Sequence, residues 1–210
     1  MQIPQCYIFG AGSFSGLRTS PNPSDYMIAA DGGYEYCLQE GLTPHLLLGD
    51  FDSLTVIPTN ISILQYPSEK DDTDTMLAIK EGLSRGYRRF QLYGCGGGRL
   101  DHTLGNLQAL SFLAKEGAQG FLYTETEVFS AIFNDTLLLP AREDGLFSVF
   151  CLGNDLSVTI RGAKYPLEQR HLRADLPLGV SNRFQSMPVE IVAEGGCLLI
   201  CWPLVGPQPC

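Results

Sequence analysis

Short aspartate motifs are the parts of this sequence best suited to chemistry. Asp50 and Asp52 stand two residues apart in the segment 49–53, and Gly49 directly before them leaves room for a ligand near the backbone. Two carboxylates at that spacing can reach one cation. We therefore interpret this segment as functional rather than as a simple turn.

Three other acidic motifs are less specific when each is taken alone. Asp31 could lie in a strand-to-helix turn in which Gly32 and Gly33 accept positive φ angles. The run 70–74 could cap a helix, because Asp and Thr side chains accept hydrogen bonds from free N–H groups. The glycine run 94–98 could be a flexible loop, yet such a run before a helix also exposes N–H groups that bind phosphate. For each motif, this structural role and a role in ligand binding both stay open.

Magnesium and phosphate explain the motifs when they are taken together. Two carboxylates about 5 Å apart repel by roughly 3 kcal/mol at an effective dielectric near 20, so a cluster of them needs a cation. Oxygen donors without converging His or Cys side chains suit magnesium, which completes its shell with water and substrate phosphates. Arg99 adds a permanently charged donor for phosphate. The residues thus indicate a metal-assisted reaction on the phosphates of a nucleotide.

Alternating strands and helices would bring these motifs to one edge of a sheet. Up to about residue 131, short apolar runs alternate with segments of helical period, which predicts an α/β fold: a doubly wound, mostly parallel sheet with helices on both faces. Ligands of such sheets bind at the carboxyl ends of the strands, where Asp31, Asp50 and Asp101 are expected. The predicted strands are 6–10, 26–30, 46–48, 61–66, 90–94 and 120–123. The predicted helices are 34–39, 73–84, with an apolar stripe of Met76, Leu77, Ile79 and Leu83, and 104–115.

The second part of the sequence has a different pattern of apolar and polar residues. After about residue 132, short apolar runs are separated by Gly, Pro and Asn, with hardly any helical period. This pattern predicts a small all-β sandwich, and therefore two domains, 1–131 and 132–210. The predicted strands are 136–139, 147–151, 156–160, 189–193 and 198–202.

Composition excludes several classes of partner. The net charge is -9, the sequence pI is near 4.7, and no basic run occurs, which argues against nucleic acid or an anionic membrane as a partner. The sequence shows neither a secretory signal pattern nor an apolar run of about 18 residues, so we expect a cytoplasmic protein. The seven cysteines are scattered without a CxxC pair, which favours buried thiols over bridges or zinc ligands.

The order of the motifs resembles that of the thiamine pyrophosphokinase family, and the resemblance covers nearly the whole chain. The opening Gly10-Ala11-Gly12-Ser13 matches the family's glycine-rich start only loosely. The matching segments are Asp31-Gly32-Gly33; Gly49 to Ser53; Asp71-x-Thr73-Asp74; Gly98-Arg99-Leu100-Asp101-His102 with Asn106 one turn later; and Gly179-Val180-Ser181-Asn182.

The resemblance implies an activity and an assembly. Residues 1–131 would form an ATP-binding catalytic domain, and residues 132–210 a thiamine-binding domain. The protein would be a homodimer with its thiamine site near the subunit interface. With Mg²⁺ bound, it would transfer the pyrophosphate group of ATP to the hydroxyl of thiamine, giving thiamine diphosphate and AMP.

The resemblance also implies roles for individual residues. Asp71 is the carboxylate that would orient or deprotonate the thiamine hydroxyl. For Trp202, buried packing is the alternative to binding. The implied metal ligands are Asp50, Asp52, Asp71 and Asp74, and these four with Arg99 are the implied catalytic residues. The implied ATP and phosphate contacts are Asp31, Gly32, Gly33, Lys70, Thr73, Gly98, Arg99, Asp101 and His102. The implied thiamine contacts are Ser181, Asn182 and Trp202.

Two other functions compete with this one. Asp50-Phe51-Asp52-Ser53 imitates the aspartate nucleophile motif of haloacid-dehalogenase-type phosphatases, although that motif normally ends the first strand and here follows about two strands. The other competitor is a non-catalytic sensor of thiamine diphosphate or a nucleotide, which has no evident need for both the acidic set and Arg99.

Overall fold

The computed structural model of the chain describes residues 3–51, 58–205 and 209, which form two compact units. The first unit comprises Met1–Ala109 with Gly120–Glu125, and the second comprises Leu110–Gln119 with Thr126–Cys210. The contact-based division therefore falls after residue 125, apart from the segment 110–119, which belongs to the second unit. The functional division expected at residue 131 stays a prediction.

A mostly parallel sheet with three helices builds the first unit, as the sequence predicts. The strands lie in the order β6-β5-β1-β2-β3-β4, and the pairs β5–β1, β1–β2, β2–β3 and β3–β4 are parallel. The elements are β1 (Cys6–Phe9), β2 (Tyr26–Ala30), α1 (Gly33–Gln39), β3 (Leu46–Gly49), β4 (Ser62–Gln65), α2 (Asp74–Ser84), β5 (Arg89–Tyr93), α3 (Leu100–Lys115) and β6 (Gln119–Tyr123).

Burial follows the position of each strand in this sheet. All four residues of β1 are fully buried, because a central parallel strand is covered on both faces. Strand β4 lies at the edge, and all its residues are exposed. The predicted strands agree with the observed ones to within one residue at each end.

Two helices differ from the prediction in informative ways. Helix α2 buries Thr75, Ala78, Ile79 and Gly82, at the spacing of one helical face. Of the four large apolar residues predicted to form its stripe, only Ile79 is buried, because small side chains let this helix lie close to the sheet. Helix α3 begins at Leu100 rather than at residue 104, so Asp101 lies in its first turn, where the helix dipole favours a carboxylate.

The second unit is all-β, as the sequence predicts. Its strands form antiparallel arrays in the orders β12-β9-β14-β7 and β11-β10-β13-β8. The largest fully buried side chains of this unit include Trp202, Phe147 and Phe184. The strands are β7 (Glu127–Phe133), β8 (Thr136–Leu139), β9 (Leu146–Leu152), β10 (Leu156–Arg161), β11 (Leu167–Leu172), β12 (Asn182–Arg183), β13 (Val189–Glu194) and β14 (Cys197–Pro203).

Three of these strands, β7, β11 and β12, were not predicted. Strand β11 lies at an edge and exposes most of its polar side chains, so its sequence carries no alternation of apolar and polar residues. Strand β12 has only two residues.

No helix in the described part of the chain is long and apolar enough to cross a membrane. Of the six described cysteines, all free thiols, Cys6, Cys37, Cys95 and Cys197 are buried as predicted, whereas Cys151 and Cys201 are partly exposed.

Two mid-helix glycines allow a test of this packing. A Cβ atom at Gly82 would lie 2.5 Å from Phe90 Cε1 and 2.9 Å from Cys6 Sγ, whereas one at Gly105 would meet nothing within 4 Å. We expect Gly82→Ala to lower the free energy of unfolding by about 1–3 kcal/mol through overpacking. The matched Gly105→Ala should raise it by roughly 0.5–1 kcal/mol, because alanine is the better helix former. Urea denaturation measures both changes, and a stabilising Gly82→Ala would contradict the packing of α2.

Candidate functional site

Two adjoining cavities lie at the carboxyl ends of the strands in the first unit. Asp31 follows β2, Asp50 follows β3 and Gly94 follows β5, so the parallel arrangement brings all three to one edge. The first, which we call the acidic cavity, has a volume of about 500 Å³ and is lined by Asp31, Asp50, Lys70, Asp71, Asp72, Asp74, Asp101 and neighbouring residues. The second, the glycine cavity, has a volume of about 570 Å³ and is lined by Gly12, Ser13, Tyr36, Gly94, Cys95, Gly97, Gly98, Arg99 and neighbouring residues. Ala11, Thr75, His102 and Asn106 line both.

The acidic cavity contains three of the four predicted metal ligands, Asp50, Asp71 and Asp74. The fourth, Asp52, lies outside the described residues, as does Ser53. Within residues 3–51, 58–205 and 209, no three Asp, Glu, His or Cys side chains stand as a ready metal centre. The three predicted ligands that share the cavity are nevertheless all carboxylates, and this donor chemistry fits a hard divalent cation.

Backbone geometry aims Asp31 into the acidic cavity. Asp31 has a φ of 46°, its N–H donates to Leu48 O at 2.9 Å, and its Oδ1 accepts from Phe51 N at 3.2 Å. A Cβ atom at Gly49 would overlap this carboxylate, so only glycine fits there. Of the interpretations left open for the two glycines after Asp31, positive φ angles do not apply: Gly32 has a φ of −57°, and Gly33 is needed because a Cβ would overlap the Phe9 carbonyl oxygen.

Burial and a neighbouring carboxylate change the protonation of Asp31. Desolvation, followed by a hydrogen bond to Asp74 and the charge of Asp74, raises the pKa of Asp31 from 3.8 to about 7. The Phe51 N–H acts in the opposite direction but does not offset these effects. Near neutral pH, Asp31 is therefore protonated for part of the time.

The segment 70–74 combines capping with cavity lining. Thr73 is the N-cap of α2, and its Oγ1 accepts from Met76 N at 3.2 Å. Lys70 Nζ lies 2.7 Å from Asp74 Oδ1, and Lys80 Nζ donates to both oxygens of Asp72. Burial tends to lower the pKa of Lys70, but the acidic side chains around it raise the pKa overall. The capping interpretation is therefore confirmed for Thr73, and the segment also lines the acidic cavity, while its role in the reaction stays a prediction.

Arg99 and Asp101 form a bidentate ion pair at the start of α3. Arg99 Nη2 donates to Asp101 Oδ2 at 2.6 Å and Arg99 Nε donates to Oδ1 at 3.2 Å. The guanidinium holds the pKa of Asp101 at about 2. His102 donates its backbone N–H to Asp101 Oδ1 at 3.0 Å, so its contact with Asp101 is a main-chain one. The pair is exposed, which leaves the planar donor group of Arg99 accessible for exchange with a phosphate.

Among the residues that line the cavities, sequence reasoning assigned no contact or role to Tyr36, Thr75 and Asn106. Asn106 had a signal, since it belongs to the motif that begins at Gly98. Tyr36 and Thr75 had none, because an aromatic or a threonine on a helix is usually part of ordinary packing.

In the second unit, the predicted thiamine contacts have structural partners. Asn182 is 6% exposed; its Oδ1 accepts from Tyr165 N at 3.0 Å and its Nδ2 donates to Tyr165 O at 2.8 Å. Ser181 has a φ of 62° and donates its N–H to Ser148 Oγ at 3.1 Å. Trp202 is 1% exposed in β14, which the packing alternative explains. Vitamin binding by these residues stays a prediction.

Two family models match this chain, one in each of its two parts. Residues 17–122 match the family model described as "Thiamin pyrophosphokinase, catalytic domain", and residues 136–198 match "Thiamin pyrophosphokinase, vitamin B1 binding domain". The chain is 29% identical to the thiamine pyrophosphokinase of Bacillus subtilis (strain 168) over 163 residues, which are 74% of this chain and 76% of that protein.

Solved structures agree with this match. The crystal structure of thiamine pyrophosphokinase from Bacillus subtilis is similar with a TM-score of 0.87 and 25% identity, over 96% of this chain and 100% of that one. The thiamin pyrophosphokinase from Geobacillus thermodenitrificans is similar in fold with a TM-score of 0.83 and 23% identity, over 97% and 99% of the two chains.

The raised pKa of Asp31 predicts a pH-dependent effect of Asp31→Asn. Because the folded pKa lies above the ordinary one, the folded state loses stability as pH rises from about 4 to about 7. Asparagine has no proton to lose, keeps an acceptor for Phe51 N and tolerates a positive φ. In EDTA and without nucleotide, we expect the melting temperature to rise at pH 8 and to change little at pH 4.5.

Asp144→Asn provides the control for this measurement. The Gly145 N–H and then Arg183 lower the pKa of Asp144, so its ionised form already stabilises the fold at pH 8 and the substitution brings no gain there. An equal gain in melting temperature for Asp31→Asn at both pH values would contradict the raised pKa of Asp31.

Proposed function

The chain belongs to the thiamine pyrophosphokinase family, and from that premise we propose that it transfers the pyrophosphate group of ATP to thiamine. The observation that carries the proposal is the conjunction of two matches: the family's catalytic and vitamin-binding models follow each other along the chain, and the catalytic part contains the acidic cavity. A carboxylate-rich cavity beside glycine loops and an arginine suits a polyphosphate with a bound cation.

The reaction is a single displacement at phosphorus. The hydroxyl oxygen of thiamine attacks the β-phosphorus of ATP and forms a new P–O bond. The bond from the β-phosphorus to the oxygen that bridges to the α-phosphorus breaks, and AMP leaves with the electron pair. Asp71, exposed at the rim of the acidic cavity, orients the hydroxyl and accepts its proton.

Asp50, Asp71 and Asp74, together with Asp52, would hold Mg²⁺. When bound, the ion neutralises and orients the phosphate oxygens. Asp31 stands beside Asp74, and because its pKa is raised, its protonation lowers the negative charge of the acidic cavity. The ammonium group of Lys70, near Asp74, Asp50 and Asp31, is placed to meet phosphate oxygens at the same cavity.

Arg99 stabilises the charge that develops as AMP leaves. A phosphate can replace Asp101 as the partner of the Arg99 guanidinium, because it offers the same bidentate geometry and carries a greater negative charge. Gly98, with a φ of 63°, and the N-terminal turn of α3, including His102, complete the phosphate contacts. Gly32 and Gly33 shape the start of α1 through the backbone, and Thr73 shapes the start of α2 through its side-chain cap.

The remaining parts of the proposal concern thiamine and the assembly. Ser181 ends a turn and Asn182 begins β12, which pairs with β9, and we assign thiamine contacts to these two residues. For Trp202, 1% exposed, buried packing is the role that its position supports. The protein acts as a homodimer with the vitamin site near the subunit interface. The cytoplasm, which supplies ATP and magnesium, is the assigned compartment. Light scattering coupled to gel filtration tests the dimer.

One reaction mixture tests the function. Incubation with ATP, Mg²⁺ and thiamine should yield AMP and thiamine diphosphate in equal amounts, detected by chromatography. Omission of thiamine, or addition of EDTA, should abolish both products. Release of inorganic phosphate without thiamine, with a covalent phosphate on Asp50, would instead identify a phosphatase. Binding of both ligands without products would identify a sensor.

Two substitutions test the assigned chemistry. Asp71→Asn and Arg99→Ala should each reduce kcat more than about 100-fold, because these groups act in the transition state. Single-turnover rates and thermal unfolding measure the effect and the integrity of the fold. The matched controls are Asp175→Asn and Arg173→Ala, since Arg173 and Asp175 form an exposed bidentate pair of the same spacing. Equal losses in variants and controls would overturn the assignments.

A further inference from the structure

Two glycine loops beside the glycine cavity are joined backbone to backbone. Loop Gly10–Ser13 follows β1 and loop Gly94–Gly98 follows β5. Gly10 N donates to Tyr93 O at 2.8 Å, Gly12 N to Gly94 O at 2.6 Å, and Ser13 N to Gly96 O at 2.8 Å. These hydrogen bonds make the two loops one structural unit, which we call the paired loops.

The paired loops leave no space for side chains between them. A Cβ atom at Gly12 would lie 2.8 Å from both Gly94 O and Gly96 O, and one at Gly94 would overlap Gly10 O. Gly94, Gly97 and Gly98 also have φ angles of 62°, 74° and 63°. Glycine loses more conformational freedom on ordering than any other residue, so loops of this composition need support from outside.

That support comes from two helices through one side-chain donor each. Tyr36, in α1, donates its hydroxyl to Gly12 O at 2.6 Å, and its ring stacks on Phe14 with centroids 4.8 Å apart. Asn106, in α3, is 8% exposed and donates Nδ2 to Cys95 O at 2.7 Å. Each loop is thus held at a backbone carbonyl by a side chain of a different helix.

We propose that Tyr36 and Asn106 are positioning residues that hold the paired loops, and with them Arg99, in the form that receives the phosphates of ATP. Both side chains line the glycine cavity together with Arg99. Arg99 directly follows Gly98, so a shift of the second loop moves the guanidinium. The proposal rests on the function proposed above, and it concerns the ATP side of the reaction alone.

Tyr36→Phe is the first test, because it removes only the hydroxyl. In the ligand-free protein, amide hydrogen exchange measured by mass spectrometry should be faster in peptides covering 10–14 and 94–99. In turnover, kcat/KM for ATP should fall about 10- to 100-fold, as expected for a misplaced phosphate contact, while the KM for thiamine is unchanged. The melting temperature should change little. Tyr34→Phe, two residues earlier in the same helix, is the matched control and should change none of these quantities.

Asn106→Leu and the double variant provide the second test. Asn106→Leu keeps the approximate shape but cannot donate to Cys95 O, and it should produce the same pattern of exchange and kinetics. Because the loops are joined, the double variant should lose less than the product of the two single losses in kcat/KM. Independent, multiplicative losses would show that the two residues do not hold one unit.

Several outcomes would overturn the proposal. Unchanged exchange in Tyr36→Phe would mean that the hydroxyl does not hold the loops. Faster exchange with unchanged ATP kinetics would mean that the held form does not serve the reaction. An equal rise in KM for thiamine together with a lower melting temperature would reveal a general structural role. If the unmodified protein made no AMP, the proposed function would fail first, while the exchange experiment would still judge the loop contacts.

Discussion

Repulsion between carboxylates held in one cavity is the constraint on which the catalytic unit depends. Asp31, Asp50, Asp71 and Asp74 are brought together because β2 and β3 are parallel and end at the same edge, and because α2 begins there. The fold tolerates this arrangement with Lys70 close to Asp74 and with an Asp31 that keeps its proton to a higher pH. The same residues that weaken the ligand-free fold therefore form the part of it suited to a cation with a polyphosphate.

Much of the first unit was predictable because its signals are local. A buried parallel strand is a short run of apolar residues, and β2 was predicted to its last residue. The edge strand β11 was missed, since pairing with β10 rather than burial of its side chains forms it. The stripe of α2 was misjudged for a related reason: large apolar residues dominate the sequence signal, whereas close packing selects the small ones.

The sequence predicted residue types that line the candidate site, but it did not predict the contacts that position them, and their roles stay predictions. The aspartates of the acidic cavity could be grouped from the sequence because the carboxyl ends of parallel strands meet at one edge of a sheet. The need for Gly33 and Gly49 could not be derived, because it arises from contacts with Phe9 and Asp31 that are distant in sequence. Tyr36 was missed for the same reason, since its partner Gly12 lies 24 residues away. Local pattern thus names the candidate reactive groups, and tertiary contacts identify the residues that hold them.

The burial of Trp202 gives the protein an optical property. It is the single tryptophan of the chain, and it lies in the core of the second unit with 1% of its surface exposed. An indole in such an apolar environment emits at shorter wavelength than one in water, and its emission changes when that core opens. Tryptophan fluorescence therefore reports on the β-rich unit alone, whereas the tyrosine signal includes Tyr7 and Tyr93 of the α/β unit. The chain thus carries a natural spectroscopic label that can follow one of its two units separately.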